Sequence, residues 1–153
     1  MNIGFAPDEI DTAASTRDAR LKWVIVVNEA LPPGLAANAA ICTAAATTAG
    51  VDGLLGPDAV DADGSRHPGL PWAGCSVLVA DADTLRTIRA KADQHPETFV
   101  ADMPEAAQAT RVYDEYRAAI AATTGDTIEY YAVSIVGPRN RVDRLVGRLS
   151  LMP

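Results

Sequence analysis

The stretch KWVIVVNEALPPGLAANAAICTAAATTAG, residues 22–50, decides the fold. Lys22 to Asn28 is continuously apolar and β-branched after the lysine. Such a run reads as a strand buried on both faces, because a half-exposed strand would alternate polar with apolar. Pro32, Pro33 and Gly34 then stop the sheet, since proline lacks the N–H that a ladder needs and pushes the preceding residue out of helical geometry. From Leu35 to about Thr48 the length is helical, and small side chains stand all round the axis. So little bulk lets a helix sit close to a sheet, which predicts a central helix with neighbours on several sides.

Downstream, VDGLLGPDAVDADGSRHPGLPWAG carries most of the turn formers, and its DADG element suits a tight turn or short hairpin. CSVLVAD reads as a second buried strand. DTLRTIRAKADQH reads as a helix capped by Asp83 with Thr84, with Leu85, Ile88 and Ala92 on one face. ETFVADM forms a short third strand ending at Met103-Pro104. One long helix is expected from about Glu105 to Ala122, then a fourth strand, IEYYAVSIVG, closed by Gly137-Pro138. Arg139 to Val146 makes a last helix, and GRLSLMP is a tail whose Leu149 and Leu151 are available to pack. Strands and helices alternate, which predicts an α/β fold: a three-layer α-β-α arrangement on a small four-stranded mixed sheet.

The 153 residues suffice for one hydrophobic core and not comfortably for two. Residues 1–20 read as a mobile acidic leader to a single α/β domain over 21–153. That leader has neither a basic start nor an apolar core, so it does not read as a secretory signal. No apolar run approaches the roughly 20 residues that cross a bilayer, so a soluble, cytoplasmic protein with no membrane association is expected. Cys42 and Cys75 lie in apolar segments without metal-ligand spacing and read as buried thiols.

A net charge of −7 repels polyphosphate unless cations gather locally, and the best local cluster is Arg139, Arg141, Arg144 and Arg148. The strand–turn–helix of residues 22–50 lacks the glycines of a dinucleotide loop and the lysine of a nucleotide-binding loop. Unpaired N–H groups near Leu35 to Asn38 still offer a place for an anion or a polar ligand group, with Asn38 in the first turn. Asn38 has two readings: a bond to a neighbouring carbonyl, or contact with a ligand. His67, with Asp63 near it in sequence, is a surface or loop-packing histidine, a general base or a metal ligand, though no fixed spacing supports a metal site. Asp102 ends a strand, where it either caps the next helix or carries chemistry. The four tyrosines read as core contacts, no GxSxG marks a serine nucleophile, and no metal or cofactor is expected.

KWVIVVNEALPPGLAANAAICTAAA resembles the first strand, loop and helix of type-2 peptidyl-tRNA hydrolases, and AVSIVGPRNRVDRLVGRLSL their closing strand, Gly-Pro turn, helix and tail. PPGLAANAA, DADGSRHPGLPWAG and GPRNRVDRLVGRL together resemble the uncharacterised bacterial family Domain of Unknown Function 2000, which shares that fold. The resemblance spans essentially Lys22 to Leu151. It implies a check by position. Where the hydrolases carry Gly-Lys-Gly-Lys, this chain has Gly34-Leu35-Ala36-Ala37, so both lysines are gone. Ala39-Ala40 match the family's alanine pair, while Ile41 and Ala44 replace its glutamine and histidine. Asp102 keeps the family's aspartate, but Met103-Pro104-Glu105 replaces the Gly-Arg-Thr after it, with Thr110 further on.

Lost lysines remove the charges that would attract tRNA phosphates, so nucleic acid is not the expected partner. A cleft bordered by Gly34, Leu35, Asn38, Asp63, the His67 loop and Asp102 suits a small or neutral ligand instead. Binding of a small molecule or protein partner is the leading expectation. The alternative is hydrolysis of a small ester or amide, with Asp102 and His67 as general acid/base groups and Asn38 orienting the substrate. A third reading keeps tRNA through the Arg139–Arg148 cluster. The fold's relatives commonly dimerise, which would make Trp72 and the apolar tail contact points of a homodimer.

Overall fold

A computed structural model describes residues 2–153. Strand β1 (Leu21–Asn28) runs down the middle of a five-stranded mixed sheet of order β5-β6-β1-β4-β7. It pairs in parallel with β4 (Ser76–Ala80), placing Val26 opposite Leu78, and antiparallel with β6 (Tyr130–Pro138), placing Ile25 opposite Ser134. That central place is why Val24 to Val27 are all buried. Each such side chain stabilises the fold by roughly 1.5–3 kcal/mol on leaving water.

The sheet has five strands where four were expected, because the tail Ser150–Leu151 adds β7 antiparallel to the outer side of β4. Leu149, partly buried, packs against the core while Leu151 stays exposed. The opposite edge is β5 (Phe99–Pro104), paired only with β6. Pro104, with no N–H to donate, ends it.

Helix α1 (Pro33–Gly50) covers one face of the sheet, and α2 (Ala82–Asp93) with α5 (Arg139–Val146) covers the other. The side chains of β1 divide accordingly: Trp23, Ile25 and Val27 join the α1 side, Val24 and Val26 the α2 and α5 side. A bulge breaks this alternation in β6. Met103 faces Ala132 and Pro104 faces Tyr130, so Tyr131 has no partner, and Tyr130 turns to the α2 side.

The expected central, many-sided burial of α1 is not what forms. Ala36, Ala39, Thr43 and Thr47 face the sheet, and the other flank, including Ala37, Asn38, Ile41 and Cys42, is exposed. Small residues serve close approach on one side only. The buried hydroxyls form a directed chain: Trp23 Nε1 donates to Ser134 Oγ (2.8 Å), which lies 2.7 Å from Thr47 Oγ1. Thr47 Oγ1 donates its own proton to the Thr43 carbonyl at 2.7 Å, so Ser134 is the donor to Thr47.

Two further expectations change. The N-cap of α2 is Asp81, not Asp83, and it accepts from the Thr84 N–H at 2.8 Å. The single helix expected over Glu105–Ala122 is two, α3 (Glu105–Ala109) and α4 (Tyr113–Ala121), because Thr110 and Val112 adopt extended backbone that β-branched residues favour.

The turn-rich segment after α1 is a folded arm. Gly56 N–H donates to the Leu70 carbonyl and Trp72 N–H to that of Leu54, and its tip is the hairpin β2 (Ala59–Val60) and β3 (Arg66–His67). Gly64 turns that tip with φ 86°, as the DADG reading anticipated. Residues 2–20, read as a mobile leader, dock onto this arm. Phe5 is buried with its ring 4.8 Å from that of Trp72, and Arg20 ties Glu9 (2.6 Å) to the Gly4 carbonyl (2.9 Å).

Candidate functional site

A cleft of about 520 Å³ opens at the outer edge of β5, between α1 and the α3–α4 corner. From α1 come Asn38, Cys42 and Ala46, which the i, i+4, i+8 spacing stacks along one flank of the helix. The edge strand contributes Asp102 and Met103. Thr110, Val112 and Tyr116 form the far wall. That wall exists because the helix breaks: Thr110 Oγ1 donates back to the Ala106 carbonyl at 2.9 Å, and the chain turns before α4 begins.

Asp102 is the one carboxylate in the lining of the cleft. Its side chain is 19% exposed and accepts from Arg89 Nε at 3.2 Å. Burial pushes its carboxyl above the ordinary range, and the Arg89 guanidinium opposes that rise without cancelling it. Arg89 also reaches Asp93 (3.3 Å) and stands 6.0 Å from the centre of the Tyr130 ring, which the β6 bulge turns to the α2 side. Burial first, and then the charge of Asp102, raises the phenol of Tyr116. Asp102 and the Tyr116 phenol therefore share the cleft's lining, with Arg89 holding the carboxylate from the α2 side of the sheet.

Asn38 is exposed and accepts a long contact from the Cys42 thiol at 4.0 Å. It sits in the second turn of α1, not the first, since the helix begins at Pro33. Gly34 and Leu35 occupy that first turn and do not line the cleft. Cys42 and Cys75 are both exposed and free, against the expectation of buried thiols.

Asn38 and Asp102 line the same cleft, and His67 and Asp63 lie elsewhere. His67 lies on the exposed β2–β3 hairpin, where its Nε2 sits 3.1 Å from Asp61 Oδ2. Asp61, not Asp63, is thus the histidine's partner. Asp61 also accepts from the N–H groups of Asp63 and Ser65, and these bonds, that of His67 first, hold its carboxyl below the usual range. Asp63 is at the hairpin turn.

Sequence reasoning passed over Arg89, Tyr116 and Arg111, all at or beside the cleft. Arg89 was legible only as one polar position of an amphipathic helix. Tyr116 could not be told from a core tyrosine. Among the described residues, no three His, Cys, Asp or Glu side chains group to hold a metal ion, and no helix is long and apolar enough to cross a membrane.

Residues 21–153 match the family model described as Protein of unknown function (DUF2000). No curated protein matches the chain. Similar solved structures include a protein of unknown function from Agrobacterium tumefaciens, 17% identical, with a TM-score of 0.80, covering 88% of this chain and 98% of that one. At that identity the likeness shows the fold alone.

Proposed function

The chain belongs to the DUF2000 family of proteins of unknown function, and from that premise we propose that it binds a small molecule in the cleft between α1 and β5. The observation that carries this reading is the convergence of Asn38, from a helix, and Asp102, from an edge strand, on one cleft of about 520 Å³. That volume falls in the range of small-ligand sites, and its mixture of apolar walls with a few polar groups is what such sites use. Asp102 favours a ligand that presents hydrogen-bond donors or a cation. Met103, Val112 and the Tyr116 ring favour an apolar or planar body beside it.

The scaffold is read as kin to the type-2 peptidyl-tRNA hydrolases, with an aspartate and a threonine, Asp102 and Thr110, on one cleft. The lining contains no lysine, and its cation is Arg111. That is little to hold a polyphosphate chain on a protein of net charge −7. A screen of metabolites by thermal shift tests the proposal. A compound at a hundred times its Kd is expected to raise Tm by about 5–10 °C, from about 2.7 kcal/mol of linkage. Asn38→Ala and Asp102→Asn should each lose most of that shift. A panel with no binder, together with firm retention of tRNA, would overturn it.

Hydrolysis of a small ester or amide is the second reading, favoured by the raised carboxyl of Asp102, which suits a general base. Turnover of a generic ester that vanishes in Asp102→Asn supports it. Turnover unchanged in that variant removes it.

A further inference from the structure

On the other face of the sheet, α2 and α5 enclose a second groove of about 540 Å³. Thr84, Thr87, Ile88 and Lys91 recur along α2 at three- and four-residue spacing and so share the flank that forms one wall. Arg144, near the end of α5, and Arg148, just beyond it, form the other. Lys91, Arg144 and Arg148 are exposed, and among the described residues none of them makes an ion pair.

The groove also contains two carboxylates, and both already have cations of their own. Asp143 accepts from Lys22 Nζ at 2.5 Å, and Asp83 from Arg86 Nη1 at 3.0 Å. Each of the two is thus already ion-paired, against three cations with no ion pair in the lining, and Glu29 and Asp81 stand beside Arg148 on the adjoining surface. The other arginines of the C-terminal cluster are spent on the fold: Arg139 donates to the carbonyls of Ala19 and Thr16, and Arg141 pairs with Glu97. The sequence cluster therefore dissolves, and a different one forms with Lys91 from the facing helix.

We propose that this α2–α5 groove binds a phosphorylated small molecule, its phosphate held by Arg144 and Arg148, four residues apart on one wall, with Lys91, in the last turn of α2, adding charge toward the groove's other end. Arginine forks suit phosphate oxygens bidentately, and lysine adds a point charge. The threonine hydroxyls of Thr84 and Thr87 supply neutral donors beside them, and Leu145, on the α5 wall, offers apolar surface to the rest of the ligand. Three cations on an acidic protein fit one or two phosphate groups, not a nucleic acid backbone, whose binding would need a longer basic track.

Inorganic pyrophosphate titrated by calorimetry into the full chain at low ionic strength is the test. Binding is expected, weakening as salt is added. In Arg144→Gln/Arg148→Gln it should weaken by about tenfold or more, two charge-assisted contacts being lost. Lys91→Gln, on the opposite wall, should weaken it separately, while Arg117→Gln, at an exposed arginine outside both clefts, leaves it unchanged. All the substituted cations are exposed, and circular dichroism checks that each variant is folded. Absence of pyrophosphate binding overturns the proposal. So does affinity that survives all these substitutions, or retention of tRNA by a chain that ignores pyrophosphate.

Discussion

Asp102 illustrates what a single residue type announces and what it hides. An aspartate at the carboxyl end of a strand is a recognisable signal, and Asp102 does line the cleft. Its partner Arg89 lies 13 residues earlier on another element, and no spacing rule reaches it. His67 shows the reverse failure, since nearness in sequence suggested Asp63 and the hairpin register chose Asp61. The raised carboxyl of Asp102 has a measurable consequence. The folded chain holds this proton more tightly than the unfolded one, so stability falls as pH rises from the ordinary carboxylate range to the raised value. Urea titrations across that range should show this fall in the wild type and its absence in Asp102→Asn, where Arg89 keeps Asp93. Equal pH profiles would contradict it. Glu9 has the opposite sign. Arg20, and then the Ala6 N–H, hold its carboxyl down at about 2, so its contribution is present above the ordinary range and is lost as pH falls toward that value. Acid titration of Trp72 fluorescence should report loosening of the Phe5 contact there, and Glu9→Gln should remove that transition.

Among the elements, the strands were legible because continuous β-branched runs have few other uses, and Leu21–Asn28 became the central strand they predicted. Helix α1 was legible in extent but not in environment. Alanine covers its exposed and buried flanks alike, so periodicity carried no information about which side meets the sheet. The threonines decided it, because Thr43 and Thr47 are buried and Thr47 completes the hydroxyl chain from Trp23. Ser134→Ala should expose the value of that chain. It leaves the buried Trp23 N–H without an acceptor, at a cost of about 1–3 kcal/mol in chemical denaturation, against a near-neutral effect for an exposed serine. A loss well under 0.5 kcal/mol would mean that Trp23 finds another partner. The break between α3 and α4 was not legible, since the alanines around Thr110 and Val112 suit a continuous helix and only the tertiary turn at the β5 edge overrides them.

For the molecule as a whole, one sheet separates two concave surfaces of different chemistry. The α1 side has the Asn38–Asp102 cleft at its rim, and the α2–α5 side has the basic groove. Alternation of strand and helix was enough to foresee the layers. The fifth strand was not foreseeable, because a two-residue edge strand has no periodicity of its own. Nor was the docking of residues 2–20, where a lone Phe5 in an acidic stretch fills a gap beside Trp72. Phe5→Ala should therefore destabilise the whole domain by about 3–5 kcal/mol, read as a shift in the urea midpoint, rather than merely loosen one end. The central claim is that the α1–β5 cleft is a ligand site, and amide chemical-shift mapping with a fragment library addresses it most directly. The prediction is that the perturbed amides cluster on Asn38, Asp102, Thr110 and Tyr116. Fragments that leave those four amides unmoved while binding elsewhere on the chain would contradict it.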